Sequence, residues 1–379
     1  FDGLYKDRLV QFLEQQWQMQ VTVGEIDGSW QGYGPRFLLQ DLSLQGEQSL
    51  QLKSAQIQLN LYQWLIPGGE RGIDLSINEA ELAMIQTGAQ VSIKGRKDEQ
   101  KLTQTLDRLL QAGALRVQAL KLNFLNAQDE PIVSDVTADF LLQQGERQRG
   151  LQLLIKEADQ QELDIRAVTD RGRQIMKSAQ WYVRFEEISL GFLQPFLAVE
   201  NLPDARINGE LWVTTENGVI TNATGQWHWR QSEPDLSFDL TMHYLGDAHN
   251  GFNEWQISQV LMNKQRFADF AFQGRWQGDV VDYQSQSIPV PWLSHLVINS
   301  LLPNVDDQQR TTLINNSRGV IDRLHFSYDY QQQQLKQLTA DFSDAGTAMQ
   351  DLTVSGLTGQ YRFQNRQSHL PVSYTHLTL

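Results

Sequence analysis

Apolar and polar residues alternate with a period of two through most of this chain, and glycine-rich corners interrupt the alternation. Period two puts successive side chains on opposite faces of a pleated strand, so each run predicts a strand with one apolar face. The opening unit sets the pattern. Val21 and Val23 lead into Gly28-Ser29-Trp30-Gln31-Gly32 and Gly34-Pro35, after which Leu38, Leu42 and Leu44 fall two or four apart. Gly28, Gly32 and Gly34 are expected to shape a sheet corner, with Trp30 packed over the base of a preceding helix. The next run, 49–61, carries Ile57, Leu59 and Leu61 and slips phase at Lys53-Ser54, which implies a bulge. Strands are predicted at 72–78, 81–86, 115–125 (with Leu120, Leu122 and Phe124), 132–142, 151–155, 163–168 and 181–185. The same grammar returns at 207–214, 219–229, 236–244, 255–260, 267–276, 320–330, 335–342 and 351–363.

Helical spacing is confined to a few stretches. Leu4, Leu9, Phe12, Leu13 and Trp17 predict a helix over 1–17. Leu102, Leu106, Leu109 and Leu110 predict another over 97–112, stopped by Gly113. A third stretch, 288–316, opens at Pro289 and Pro291 and places Trp292, Leu296, Ile298 and Leu301 at helical intervals. About eighteen strands against three or four helices lies far from the average mix. The fold class expected is therefore mainly β, an elongated, strongly curved antiparallel sheet with a few capping or inserted helices. Its expected organisation is a capping helix over 1–20, a first sheet segment over 21–180 and a second over 181–369. The last ten residues, LPVSYTHLTL, break the pattern and are expected to be a non-native tail, 370–379. No fixed repeat period is present, which disfavours a propeller or leucine-rich solenoid.

Composition narrows the function classes. The 379 residues carry 31 Lys and Arg against 45 Asp and Glu, a net charge of −14. Such a balance argues against nucleic acid and against a purely electrostatic hold on anionic headgroups. Cysteine is absent, which removes disulfides, thiolate chemistry and cysteine-bound zinc. No run of 18 apolar residues occurs. The chain opens on Phe1 with a helix already under way, so an upstream start, with a signal or anchor, is expected.

Candidate chemistry is sparse. His243, Asp247 and His249 could offer two imidazoles and a carboxylate to a metal, but a fourth ligand is missing and a turn is the expected reading. His228, between Trp227 and Trp229, is expected to face away from both. Glu186-Glu187 and Asp306-Asp307 are adjacent, which in a strand points them to opposite faces and not to a shared proton-transfer site. Nucleophile-elbow, phosphate-loop, dinucleotide and zinc-protease motifs are all missing. No enzyme activity, metal or cofactor is expected. Ten tryptophans lie mostly on strands, where packing, a sugar platform or an uncovered apolar face are the open readings.

Four groups of segments follow one another in a telling order: Val21–Ile26 with Gly28–Gly32, Pro35 and Leu38–Leu44; Ser54–Leu59 with Trp64; Leu301-Leu302-Pro303 through Ser317–Leu324; and Asp341-Phe342 with Leu352–Tyr361. In this order they resemble the AsmA-like family, closest to its YhdP branch. The resemblance covers 1–369. It implies a periplasmic β-groove tethered to the inner membrane by an N-terminal helix missing here, passing phospholipid towards the outer membrane, with no assigned catalytic residues. On that view Leu38, Leu42, Leu44, Ile57, Leu59, Leu61, Leu120, Leu122 and Phe124 would line the groove, the partners would be acyl chains, and envelope-protein partners are left open. A structural or assembly factor of the envelope, or a carbohydrate-binding β module, are the alternatives.

Overall fold

The computed structural model describes residues 3–17, 20–32, 34–45, 49–61, 72–78, 80–87, 90–93, 114–126, 128–145, 147–157, 161–193, 204–232, 235–247, 249–294, 312, 316–332, 334–349, 352–364, 367–373 and 376–378. The fold is mainly β, mostly antiparallel, with few helices. Two compact units divide the chain, Phe1–Gly218 and Val219–Leu379. The boundary expected at 180/181 falls within paired strands instead, because residues 171–178 only turn the chain back on its neighbour.

The first unit opens with α1 (Gly3–Trp17). Leu9 and Leu13, one helical turn apart, are buried on its inner face while Asp7 and Arg8 face outward. The strands that follow are β1 (Gln20–Thr22), β2 (Glu25–Gln31), β3 (Gly34–Gln45), β4 (Ser49–Asn60), β5 (Gly72–Ile77), β6 (Ala80–Thr87), β7 (Gln90–Ile93) and β8 (Leu115–Leu125). Then come β9 (Pro131–Gln144), β10 (Gln148–Glu157), β11 (Gln161–Asp170), β12 (Ala179–Ser189), the short α2 (Leu190–Leu193) and β13 (Ala205–Glu216). Pairing is antiparallel from β1 and β2 through β3, β4 and β5, and again from β8 to β13. The exceptions are β5 and β6, which both pair with β8 in parallel.

Helix α1 closes one end of this sheet. Leu9 and Leu13 join Val21, Val23, Leu39, Leu42, Ala55, Ile57, Leu59, Leu75, Ile77, Leu115 and Leu142 in one core. Each fully buried leucine or isoleucine there contributes about 1.5–3 kcal/mol of transfer free energy. The Val21 N–H donates to Glu14 Oε1 at 3.0 Å and Lys6 Nζ donates to the Gly24 carbonyl at 2.6 Å, tying helix to strand. Trp30 takes no part. Expected under the helix, it is 69% exposed. It shares a face with Ile26, which does touch this core, but four residues further on lies about 13 Å along the strand. The glycine segment is accordingly a hairpin tip, with Gly32 at φ 58° in the turn and Gln31 opposite Gly34. Gly28 lies inside β2 opposite Phe37. At Gly34 a Cβ would fall 1.7 Å from the Leu59 carbonyl oxygen, so only glycine lets the two backbones approach.

The second unit is an antiparallel series: β14 (Val219–Gln231), β15 (Leu236–Gly246), β16 (Asn250–Met262), β17 (Gln265–Arg266), β18 (Phe270–Gln277), β19 (Val280–Pro289), the helical turn α3 (290–294), β20 (Arg318–Asp329), β21 (Gln334–Met349) and β22 (Leu352–Gln364). Short strands β23 (Gln367–His369), β24 (Val372–Ser373) and β25 (His376–Thr378) pair with β22. The helix expected over 97–112 and most of that expected over 288–316 lie outside the described residues. Within the latter, 288–289 end a strand and 290–294 are helical.

Candidate functional site

In the first unit, register aligns apolar residues in rows that run across the strands. Val117 of β8 lies opposite Phe140 of β9, Phe140 opposite Leu153 of β10, Leu153 opposite Ile165 of β11, Ile165 opposite Val183 of β12, and Val183 opposite Leu211 of β13. All six are half-buried. With strands 4.7–4.9 Å apart, the row spans about 24 Å. Flanking it are Leu142, Leu151, Ala167 and Trp181 on one side and Ala138, Ile155, Leu163 and Phe185 on the other. The result is an apolar band three side chains deep, whose middle row stays partly open to solvent.

The opposite face of the same strands is mainly polar, with Leu141, Leu154, Val168 and Trp212 as apolar members. Arg184 pairs with Glu162 at 2.6 Å and reaches Glu186 at 3.6 Å, and Arg166 pairs with Asp164 at 2.6 Å. Burial, then a hydrogen bond to Glu210, pushes the Tyr182 phenol above its ordinary pKa. The adjacent glutamates 186 and 187 do not form a site: Glu186 faces Arg184, while Glu187 interacts with Asn208.

Bulges decide where the band is open and where it is closed. Ala119 (φ 51°) separates Val117 from Leu120, and Glu187 (φ 50°) separates Phe185 from Ile188. Each extra residue shifts the phase, so residues on both sides of the bulge point to the apolar face. Both bulge N–H groups are satisfied from the next strand, Ala119 by Asp139 Oδ1 (3.1 Å) and Glu187 by Asn208 Oδ1 (2.7 Å). Beyond them lies a closed core of Leu122, Phe124, Val136, Ala138, Ile155, Leu163, Ile188 and Phe192, the last supplied by α2.

The second unit repeats the design. Gln259 (φ 54°) is a bulge in β16, its N–H donating to Asp269 Oδ1 at 3.0 Å, and Ser287 (φ 58°) kinks β19 without shifting its register against β20. Past them, Val260, Met262 and Ile288 close over Leu236, Phe238, Ile257 and Phe270 under Trp292 of α3. Trp292 meets Phe270 edge-on at 4.7 Å between centroids. Before them the rows stay half-buried: Met242 opposite Trp255, Trp255 opposite Phe272, and further along Tyr283 opposite Phe326, Phe326 opposite Leu338, Leu338 opposite Phe363. Aromatic rings lie over glycine at this face. A Cβ at Gly251 would fall 1.9 Å from Trp276 Cζ2, and Trp276 in turn stacks on Tyr244 at 5.1 Å.

The nine residues expected to form one wall are distributed differently. Leu42, Ile57 and Leu59 are buried in the core under α1, with Leu61 packed against it. Leu122 and Phe124 are buried in the core beside α2, with Leu120 at its edge. Leu38 points the other way from Leu42, because a kink at Asp41 (φ 50°), across which β3 keeps its register with β4, puts Leu39 and Leu42 on the inner face. The side chain of Leu44 lies outside the described residues. The half-open row was carried by Phe140, Leu153, Ile165, Val183 and Leu211, on strands the alternation predicts but at positions it does not distinguish from core.

His228 and the Asp247–His249 turn serve structure. Asp247 Oδ1 accepts from the N–H groups of His249 (2.7 Å) and Asn250 (2.8 Å), capping a turn, and these bonds lower its pKa. His228 Nδ1 lies 2.8 Å from Asp239 on the next strand. Among the described residues no group of three acidic, histidine or cysteine side chains is placed to hold a metal, and no helix is long and apolar enough to cross a membrane. No curated protein and no solved structure matches the chain. The family model described as YhdP protein matches residues 3–379, through the segment expected to be foreign. Amphipathic strands, capped ends and a match over nearly the whole length lead to one assignment: the chain belongs to the YhdP protein family.

Proposed function

We propose that this chain is a non-enzymatic section of a periplasmic conduit that carries phospholipid acyl chains between the inner and outer membranes. The observation that carries this reading is the half-buried row Val117–Phe140–Leu153–Ile165–Val183–Leu211 with an ion-paired polar face behind it. An acyl chain gains about 0.8 kcal/mol for each CH₂ removed from water, and a row of about 24 Å exceeds the ~15 Å that one leaflet's chains span. Side chains without hydrogen-bonding groups hold such a chain without fixing its position, which suits passage over capture. Family membership supports an envelope role related to lipid transport.

Photocrosslinking amino acids placed at Leu153, Val183 and Leu211 in cells test it, with Gln143 and Gln180 on the polar face as controls. The inner positions should capture phospholipid well above the controls. Equal yields on both faces would remove the conduit and favour a structural role in the envelope.

A further inference from the structure

One side chain on the apolar face of the first unit does not fit a purely apolar lining. Register along β10 is unbroken, so Arg149 shares its face with Leu151, Leu153 and Ile155. It is only 9% exposed, its Nε is enclosed without a hydrogen-bond partner, and among the described residues no carboxylate pairs with it. Buried cations are ordinarily paired, since an enclosed charge without a counter-charge is costly. The surroundings compound the anomaly. Arg147, Arg171, Arg173 and Lys177 are exposed at the same end of the sheet, where the Arg171 N–H donates to the Arg147 carbonyl at 2.8 Å. Of the described acids nearby, Asp170 lies 3.8 Å from Arg173 and Glu216 adjoins the turn next to Ser178. Among the described residues of a chain of net charge −14 this is a local excess of positive charge at one rim of the apolar band.

We infer that Arg149, flanked by the basic turn 171–178, is a phosphate subsite, which receives the phosphodiester of a phospholipid whose acyl chains lie along the adjoining row; this rests on the conduit reading above. A guanidinium offers a planar fork of donors that matches phosphate oxygens, and a site partly shielded from water strengthens each bond. Thr169, opposite Arg149 and buried, commits its hydroxyl to the Ser178 carbonyl, so it holds the turn in place and leaves the arginine as the donor. The lining row supplies affinity for any acyl chain. Arg149 adds preference for lipids that carry an anionic phosphate, and a resting place between steps along the band.

The test compares retention of phosphatidylglycerol with that of diacylglycerol, which has the chains without the phosphate, by native mass spectrometry of the 379-residue chain after exposure to vesicles of each. Arg149→Met, which keeps an unbranched apolar stem, should lower phosphatidylglycerol retention about tenfold, the factor one charge-assisted hydrogen bond supplies, and leave diacylglycerol unchanged. Arg149→Lys should fall between. Lipid-free Arg149→Met should melt at or above the wild-type temperature, whereas an arginine serving structure would lower it. Arg173→Gln with Lys177→Gln, both exposed, gives a second arm that does not disturb packing and should weaken phosphatidylglycerol retention in the same direction. Inorganic phosphate at millimolar concentration separates the two sources of the anion: phosphate retained by wild type and lost in Arg149→Met, with phosphatidylglycerol retention equal in the two, would show a free-phosphate site and overturn the lipid assignment. Equal phosphatidylglycerol retention by wild type, Arg149→Met and the double variant would overturn the subsite. Failure of wild type to retain either lipid would instead overturn the conduit.

Discussion

Replacing Ile57 by aspartate should unfold the α1 end of the first unit, while the same change at Leu153 should leave it folded. Ile57 has no exposed surface and sits among Leu9, Leu13, Leu39 and Leu75. Losing the isoleucine forfeits about 1.5–3 kcal/mol of burial. The new carboxyl group must then be neutralised, which from an ordinary pKa near 3.9 costs about 4 kcal/mol at pH 7. A neutral carboxyl without a partner adds about 1–3 kcal/mol more. The sum, about 7–10 kcal/mol, is of the order of a whole domain's stability. Leu153 is half-buried on the open row, so its replacement can keep its charge in water and forfeits about 1 kcal/mol of apolar burial. Hydrogen–deuterium exchange by mass spectrometry, read on peptides from α1 and β3–β5 in the full chain, separates the two. Ile57→Asp should lose amide protection there, and Leu153→Asp should keep it while capturing less lipid. If Ile57→Asp retained native protection, Ile57 would face water-accessible space, and the division between closed core and open row would be wrong.

Trp30→Ala should change the thermal midpoint little, within about 0.5 kcal/mol, because the indole is mostly in solvent. Trp292→Ala should destabilise the second unit by about 3–5 kcal/mol, read as lost exchange protection in β15, β16 and β18, since its ring fills the space among Phe238, Phe270 and Phe272. Burial raises the pKa of Asp74 above 3.8, offset in part by the Ala114 N–H and by Arg116. A carboxyl with a raised folded-state pKa favours folding while protonated, so its contribution is fully present below the unfolded value and declines as pH rises through the folded one. Asp74→Asn should therefore raise the thermal midpoint at pH 7 and flatten its decline above the unfolded pKa; an unchanged pH profile would show that Asp74 is hydrated.

Much of this fold is legible in the sequence, because a strand's two faces are set by local alternation. Runs such as Leu151–Ile155, Leu163–Val168 and Trp181–Phe185 fix strands and an apolar face without reference to anything distant, and the i, i+4 pair Leu9 and Leu13 fixes the inner side of α1. Alternation also gives the polar exterior, where His228 finds Asp239 across one strand gap. It does not say which apolar positions a second layer will cover. Ile57 and Leu153 look alike in their own strands, and only docking of α1 separates the one that is sealed from the one left half-open. Nor, apart from the phase slip at Lys53-Ser54 opposite Asp41, does it mark the kinks and bulges. Asp41, Ala119, Glu187, Gln259 and Ser287 are ordinary residues in a region of φ where side chains are unfavoured, and partners from neighbouring segments, Asp139 for Ala119, Asn208 for Glu187 and Asp269 for Gln259, help hold three of them there. The kink at Asp41 puts the side chains before and after it in opposite phase, so Leu38 left the wall that spacing assigned it. The sequence determined that this chain would be a sheet with an apolar and a polar face; cross-strand register, bulges and capping helices decided where the apolar face stays open, because burial depends on neighbours that are distant along the chain.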